Sequence, residues 1–307
     1  MKKIEVLGLQ TIPEIKRGDN LAQIIIKCIN DEIGSLQEKD IIVLTSKIVS
    51  KALGLTRKLS EVVPGEKALA ISKKTGKDAQ WLQMIFDEGH EILAILPLKG
   101  IIENHIMVGA EDKHIGSELI EHEQAICITM SKEGRIHTCD AGIDGSNHQP
   151  DIVSLLPKDP DFWAKEIREQ IQKLSGRKVA VILADTEMFP FGTLDLAVGS
   201  SGISPRSKMF GKKDLFGKPK FGGMDLTAYE LTAASALVFG QVDAGIPVAV
   251  IRGYEYEIDE TDNISNTILP QGDNKDTVRI IKATMRATAA AVGFKKRLLL
   301  KIASWFI

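Results

Sequence analysis

Short apolar runs alternate with longer helical patterns through most of the chain. The runs at 41–44, 179–183 and 247–251 are rich in β-branched residues and predict buried strands. Asn20 and Asp159 each precede a stretch in which apolar residues recur at helical spacing, and both predict an N-capped helix. Strands and helices that alternate in this way predict an α/β protein.

The remaining patterns complete this prediction. Residues 66–91 predict a helical stretch, and apolar runs near 92–96 and 125–129 predict strands on either side of a polar, histidine-bearing insertion. The glycine- and lysine-rich segment 199–223 predicts an ordered loop region, and a helix is expected from 225 to 238. Because no internal repeat is present, we expect one composite domain or two closely packed ones.

Polar residues follow the predicted strands at the point where each strand ends. Ser46 comes after the first buried strand, Asp185 after the second and Arg252 after the third. Strand ends commonly carry ligand-binding groups. We therefore expect these strands to deliver polar side chains to one edge of a sheet.

Two isolated carboxylates lie beside glycine, hydroxyl or amide groups. Asp144 occurs in Ala-Gly-Ile-Asp-Gly-Ser-Asn, and Asp185 occurs in Leu-Ala-Asp-Thr. A hard divalent cation such as Mg²⁺ or Mn²⁺ prefers oxygen ligands and keeps positions open for substrate phosphates. Together with oxygens of Thr186 and Asn147, the two carboxylates predict a cation site and nucleotide-driven catalysis.

Composition excludes several classes of function. The chain has 307 residues, of which 44% are hydrophobic and 26% charged, which is enough for a large core. A formal net charge of -2, without a basic stripe interleaved with aromatics, argues against nucleic-acid binding. Residues 2–7 form a strand-like start that lacks the apolar core of a signal peptide, so we expect a cytoplasmic protein.

Cysteine and histidine show no metal-binding pattern. Cys28, Cys127 and Cys139 are odd in number and lack a C-x-x-C spacing, so neither a disulfide framework nor a zinc site is expected. The histidines show no i, i+4 spacing, and we expect them on the surface or in loops. They are His90, His105, His114, His122, His137 and His148.

The common nucleotide and hydrolase motifs are missing from the sequence. Residues 211–219 approach a Walker A loop, but they have five residues between the glycines and a proline where Ser or Thr would reach the metal. No G-x-G-x-x-G, H-E-x-x-H or G-x-S-x-G motif occurs. A nucleotide site in this chain must therefore be of another kind.

Six short blocks of sequence are informative in combination. The blocks are Ile12-Pro13-Glu14-Ile15 with Gly18-Asp19, Thr45 to Lys51, Ala141 to Asn147, Ala184-Asp185-Thr186, Lys213 to Gly217 and Gly245 to Val248. In order and spacing, over roughly Glu5 to Tyr254, they resemble the coenzyme F-420-0:L-glutamate ligase family. Each block alone is weak, but the joint match is specific.

The resemblance implies an activity and an architecture. The activity is a GTP- or ATP-dependent γ-glutamyl ligase that joins an acceptor carboxylate, on coenzyme F-420-0 or a related cofactor, to the amine of L-glutamate. It implies two Mg²⁺ or Mn²⁺ sites, often with K⁺. The implied fold is α/β (α+β), with mixed, largely antiparallel sheets, flanking helices, two intimately packed subdomains and an intertwined homodimer. Residues 1–255 would form the catalytic domain and 256–307 a C-terminal helical extension.

Site residues carry over by position. Asp144 and Asp185 would hold the first metal, and Thr186 and Gln241 the second. The resemblance gives catalytic roles to Asp185, Lys51 and Glu230. The implied nucleotide-binding residues are Thr11, Ile12, Pro13, Glu14, Ser46, Lys47, Lys51, Asn147, Phe239, Gly240, Gln241, Asp243, Gly245 and Ile246.

One run departs from the family. After the Asp-Thr pair at 185–186 the deazaflavin ligases carry Asn or Phe, then Gly-Arg and a further Arg before a glycine, whereas 187–192 here is Glu-Met-Phe-Pro-Phe-Gly. Without the arginines, bidentate recognition of the acceptor's phosphodiester is lost. Lys208, Lys212 or Lys213 would compensate only as point charges.

Two alternatives follow from this departure. The acceptor could be a folate, which carries a γ-carboxylate and no phosphodiester, or the chain could be a non-catalytic, nucleotide- or metal-binding descendant of the family. The family's helical Asp-Glu pair is Tyr229-Glu230 here, so one acidic group is missing. The intact Asp144, Asp185 and Thr186 favour an enzyme.

The last residues, 293–307, are basic and then strongly apolar and aromatic. This tail is too short to span a bilayer. We expect it to pack on the body of the protein or on a dimer mate. The alternative is a helix that lies on an anionic membrane surface.

Overall fold

The structure of the protein is a computed structural model that describes residues 2–98, 125–189 and 192–267, with a few isolated positions after 282. Contacts divide the chain into two compact units, Met1–Leu269 and Pro270–Ile307. Most of the tail at 293–307, most of the predicted C-terminal extension and three of the histidines (His105, His114 and His122) lie outside the described residues. Within those residues, no helix is long and apolar enough to cross a membrane.

The first unit combines helices and strands throughout. The helices are α1 (Leu21–Ile33), α2 (Ser46–Leu53), α3 (Glu66–Thr75), α4 (Ala79–Asp87), α5 (Pro160–Ser175), α6 (Thr227–Phe239) and α7 (Ile264–Thr267). The strands are β1 (Glu5–Gly8), β2 (Ile41–Thr45), β3 (Thr56–Lys58), β4 (Glu91–Pro97), β5 (Ala125–Met130), β6 (Ile136–His137), β7 (Ile152–Ser154), β8 (Ala180–Phe189), β9 (Gly192–Ile203), β10 (Val248–Arg252) and β11 (Ile258–Asp259).

A six-stranded sheet forms the centre of this unit. Its strand order is β1-β10-β2-β8-β9-β11, in which β2 and β8 are parallel and the other neighbours antiparallel. Smaller antiparallel sheets pair β3 with β7 and β4 with β5 and β6. The predicted mixed, largely antiparallel α/β fold is therefore confirmed.

Both faces of the six-stranded sheet are buried under helices. Successive side chains of a strand point to opposite faces. Ile42 and Leu44 accordingly join the core beneath α1 and α5, while Ile41 and Val43 join the core beneath α6. The strand run 41–44 is apolar throughout because both of its faces pack against helices.

The predicted helix caps are present. Asn20 accepts a hydrogen bond from the backbone of Gln23 at the start of α1, and Asp159 accepts one from Phe162 at the start of α5. The stretch 66–91 differs from the prediction, since it holds two helices. Between them, Gly76 adopts a left-handed conformation that ends α3, and Asp78 caps α4.

Two strand predictions need correction. β8 continues to Phe189 because it forms a hairpin with β9, so Asp185 lies inside the strand and not at its end. Residues 199–203 belong to β9 and not to a loop. Gly199 suits this strand because a Cβ there would overlap the backbone carbonyl of Pro160 in α5.

The prediction for Arg252 is wrong in position. β10 runs antiparallel to β2, so the end of β10 lies at the start of β2. There the Arg252 guanidinium pairs with buried Asp40, at 2.7 Å between Nη2 and Oδ2. The edge that carries Ser46 is approached by the segment before β10, because the Thr45 amide donates to the Pro247 carbonyl at 2.9 Å.

A left-handed turn precedes Asp144. Asp140, Ala141 and Gly142 have φ values of 47°, 62° and 70°, a conformation that costs energy for residues other than glycine. Buried Asp140 accepts hydrogen bonds from the Cys127 amide at 2.8 Å and from the Lys77 ammonium at 2.6 Å. These bonds hold the turn, and the turn positions the segment that carries Asp144.

We expect Gly199→Ala to lower the free energy of unfolding by about 1–3 kcal/mol, because the new methyl group forces β9 away from α5. The comparison variant is Gly222→Ala, whose methyl group would meet only the flexible Lys220 side chain at 3.4 Å. Urea unfolding followed by circular dichroism measures both. Equal midpoints for the two variants would contradict the close approach of β9 and α5.

We expect Lys77→Met to cost about 3–5 kcal/mol of stability, because it removes the cation from a buried ion pair. Lys73→Met, at an exposed position of α3, serves as the matched control. Urea unfolding again gives the free energies. A Lys77→Met midpoint equal to that of the control would show that the pair does not hold the turn.

Candidate active site

A cleft of about 730 Å³ lies at the edge of the sheet where β2 leads into α2. Its walls come from the segment before α1, the start of α2, the segment after the left-handed turn, β8 and the segment between α6 and β10. The predicted site residues that line it are Ile12, Pro13, Glu14, Ser46, Lys47, Lys51, Asp144, Asn147, Asp185, Thr186, Phe239, Gly240, Gln241, Asp243, Gly245 and Ile246.

Two predicted site residues are not brought to the cleft. Thr11 is exposed, and both its amide and its hydroxyl donate to Glu32 of α1, at 2.9 and 2.6 Å. Glu230 is exposed on α6 and is not part of the cleft wall. The structure therefore gives Thr11 a role in tying the loop to α1.

Carboxylates from three segments converge at one end of the cleft. The Ser46 hydroxyl donates to Asp185 at 2.7 Å, and the Lys47 ammonium lies 2.8 Å from Asp144. Asp195 of β9 accepts from the Thr186 hydroxyl at 2.7 Å. Each of the three carboxylates is thus held by a hydrogen bond or an ion pair to a side chain of another element or segment.

Asp195 was not predicted from the sequence. It is buried and lines the cleft, and it also accepts from the Gln241 amide at 3.2 Å. Its register partner across the β8–β9 hairpin is Thr186. The signal that would have found it is the hairpin itself, since cross-strand neighbours share one face of a sheet.

Burial raises the pKa of Asp185 well above its usual range, although the Ser46 hydrogen bond opposes the shift. The charges of Glu187, Asp144 and Asp195 raise it further. A bound cation would offset both effects, and every donor in this group is an oxygen. These oxygen donors therefore fit a Mg²⁺ or Mn²⁺ ion.

Lys51 and Asn147 also line the cleft and join its walls to one another. The Lys51 ammonium contacts Glu14 at 2.8 Å and the Asn147 carbonyl at 3.1 Å. The Asn147 side chain donates to the Val242 carbonyl at 3.0 Å, from a left-handed backbone with φ of 53°. Three loops that are distant in sequence are thereby held together.

The first turn of α2 opens into the cleft. Thr45, Ser46, Lys47 and Ile48 all line it, and no side-chain hydrogen bond caps the helix within the described residues. The free amide groups and the helix dipole at such an end favour bound anions. This end of the cleft suits phosphate groups.

One histidine contradicts the prediction of a surface position. His137 is buried, and its Nδ1 lies 3.1 Å from Oε1 of Glu187. The other Glu187 oxygen accepts from the amide and hydroxyl of Thr138, at 2.5 and 2.7 Å. Ligand atoms of His137, Glu187 and Asp185 lie within 4.8 Å of one another. Glu187 is thus a buried neighbour of the carboxylate cluster.

The lysines that were expected to compensate for the missing arginines lie elsewhere. Lys208 contacts Asp259 and Asp262, each at 2.8 Å. Lys212 and Lys213 are exposed, and none of the three lines the cleft. Among the described residues, the cations of the cleft wall are Lys47 and Lys51.

Comparison with known proteins identifies the family of the chain. The model of the F420-0:Gamma-glutamyl ligase family matches residues 10–253. The chain is 34% identical to the coenzyme F420:L-glutamate ligase of Methanosarcina acetivorans, over 88% of this chain and 93% of the relative.

Two further relatives carry the same name. The proteins of Methanothermobacter thermautotrophicus and Methanocaldococcus jannaschii are each 34% identical, over 82% of this chain and 90% and 88% of their own lengths. The match covers nearly all of the unit that contains the cleft. The chain therefore belongs to the F420-0:gamma-glutamyl ligase family.

Proposed function

We propose that the protein is a GTP- or ATP-dependent γ-glutamyl ligase that joins L-glutamate to the carboxylate of coenzyme F-420-0 or a related acceptor. The main support is the convergence of oxygen donors and a free helix start in one cleft. The volume of the cleft, about 730 Å³, lies within the usual range for small-molecule sites. The names of the relatives support the acceptor.

The nucleotide is proposed to bind with its phosphates at the start of α2. Lys47, in the first turn of α2, and Lys51, in its last turn, supply positive charge along this wall. Both are held by carboxylates of the cleft, Asp144 and Glu14. The segment 239–247 lines the remaining wall. This arrangement explains how a nucleotide would bind without a Walker A loop.

Asp144 and Asp185 are proposed to hold a first Mg²⁺ or Mn²⁺, and Thr186 and Gln241 a second. Asp195 accepts hydrogen bonds from both Thr186 and Gln241. When bound, such cations neutralise charge on the phosphate oxygens. K⁺ is a further proposed component. The protein's own contribution is to keep these oxygens in place before substrate arrives.

The proposed chemistry has two steps. An oxygen of the acceptor carboxylate attacks the γ-phosphorus, and the nucleoside diphosphate leaves. The amine of L-glutamate then attacks the acyl carbon, phosphate leaves and one proton is lost from the nitrogen. Lys51 and the start of α2 orient the phosphates for the first step, and the cleft walls orient the acceptor.

A folate acceptor is the second candidate. One observation favours it, because the described cleft wall has only two cations and both are already paired with carboxylates. A phosphodiester would have to compete for them, whereas a folate carries none. The choice between acceptors is therefore a matter for direct assay.

We expect glutamate-dependent release of nucleoside diphosphate from the purified protein with Mn²⁺, and a glutamate adduct by mass spectrometry. Coenzyme F-420-0 and tetrahydrofolate are offered side by side. Asp185→Asn should reduce turnover by at least about 100-fold, because a charge that acts on the transition state is removed. It should also reduce the thermal shift caused by Mn²⁺, because the first of the two proposed cation sites is lost, without lowering the stability of the cation-free protein.

Asp31→Asn, at an exposed position of α1, is the matched control and should behave as wild type. Full activity of Asp185→Asn would remove the cation assignment. An adduct on folate alone would select the second candidate. Nucleotide binding without any adduct would favour the non-catalytic descendant.

We also propose a homodimer formed through an apolar arm, residues 207–226. The arm is held by bonds from the Met209 amide to Gly223 and from the Gly211 amide to Lys220. Its exposed side chains include Leu215 at 100%, Phe216 at 88% and Phe221 at 92% exposure. Apolar surface of this extent is typical of a protein interface.

We expect the double variant Leu215→Asp/Phe216→Asp to convert a dimer to a monomer, because two charges would be buried at the interface. Light scattering after size-exclusion chromatography measures the mass. Val63→Asp, which changes an apolar side chain 84% exposed outside the arm, is the control. A dimer that persists in the double variant would exclude the arm as its interface.

A further inference from the structure

A second, smaller pocket lies behind the wall of the cleft. Its volume is about 220 Å³, and it is lined in part by Ala141 and Ile143 of the segment that also carries Gly142 into the cleft. Ile143 contributes to both spaces. The two are thus separated by little more than this segment and the side chains next to it.

The side chain of His137 lies between the smaller pocket and the carboxylate cluster of the cleft. His137 lines the smaller pocket and is bonded to Glu187, while its ligand atom lies within 4.8 Å of an oxygen of Asp185, which lines the cleft. A molecule in the pocket would therefore be one side chain away from the carboxylate cluster.

The charge of the smaller pocket favours an anion. Lys132, Arg135 and Lys158 line it, against the carboxylates of Glu88 and Glu133. Lys158 lies 3.6 Å from Glu88, which offsets one positive charge. A hydrogen bond from the Ser131 hydroxyl lowers the pKa of Glu133, so that carboxylate is already satisfied within the pocket wall.

Lys132 and Arg135 are the two lining cations to which the described residues give no ion pair, and Arg135 is the less exposed of them. It is half-buried, and its guanidinium makes no hydrogen bond or ion pair with any residue in the described part of the chain. A guanidinium presents a planar fork of donors that matches a carboxylate in bidentate geometry. Half-buried guanidinium donors are often paired with an anion, so a carboxylate ligand would complete the wall.

Size and polarity restrict the ligand further. The volume of about 220 Å³ is less than a third of that of the cleft and suits a ligand of amino-acid size better than a nucleotide or a polycyclic acceptor. Burial lowers the pKa of His90 to about 4, so this second imidazole of the pocket is neutral at pH 7. The pocket therefore offers the Arg135 guanidinium, a neutral imidazole and an apolar wall, together with the exposed Lys132 and Lys158 side chains.

We propose that this pocket binds the amino-acid substrate, an α-amino dicarboxylate of the size of L-glutamate, and that Arg135 holds one of its carboxylates. The proposal rests on the proposed function for the identity of the ligand. A ligand held there would lie one side chain away from the carboxylate cluster and outside the cleft in which the nucleotide is proposed to bind.

Isothermal titration of the full-length protein with L-glutamate, together with steady-state kinetics, tests the proposal. Arg135→Gln should raise the Kd and the KM for L-glutamate by at least about 10-fold while leaving the KM for nucleotide within twofold, because a charged hydrogen bond is lost. The Kd and the KM for L-glutamate of Arg135→Lys should lie between those of Arg135→Gln and the wild type. Arg57→Gln, at an exposed arginine of β3, is the matched control.

The outcomes separate the pocket from the proposed function. L-glutamate binding that depends on Arg135 in a protein without turnover would support the pocket and contradict the ligase. Turnover in which Arg135→Gln keeps the wild-type KM for L-glutamate would overturn the pocket and leave the ligase intact. A wild-type protein that binds no L-glutamate and shows no turnover would overturn both.

Discussion

The crowding of carboxylates around Asp185 is the constraint on which the rest of the site depends. Asp144, Asp195 and Glu187 come from other positions in the fold and raise the pKa of this group together with its burial. Like charges in a poorly solvated place repel one another, so the arrangement needs a stiff support. The β8–β9 hairpin supplies one side of it, and the left-handed turn held by Lys77 supplies the other.

Patterns local to one segment were predictable from the sequence. The runs 41–44 and 247–251 gave buried strands because two-sided burial requires apolar residues at every position. Asn20 and Asp159 cap their helices because short polar side chains satisfy free amides wherever a helix begins. For the site, five of the six weak blocks contribute residues to the cleft, although none of them was informative alone, and the block 213–217 does not line it.

Features that depend on pairing between distant segments were not predictable. Asp195 lines the cleft because the hairpin pairs it with Thr186. The sequence of β9 does not reveal this register, so the neighbourhood of Asp195 and Thr186 could not be predicted. His137 and Glu187 are both buried and form a hydrogen bond, although they lie 50 positions apart in the sequence. Arg252 was assigned to the wrong edge because an apolar run does not reveal strand direction.

Among the described strands, only β2 and β8 run parallel. Their register sets Thr45 opposite Ala184, so Ser46 and Asp185 become neighbours directly through the ladder of backbone hydrogen bonds. Ser46 and Asp185 thus belong to the rigid centre of the sheet, while the run after Thr186 lies in the hairpin beyond it. The run 187–192, where the sequence departs from the family, can therefore change while the β2–β8 ladder keeps Ser46 and Asp185 paired.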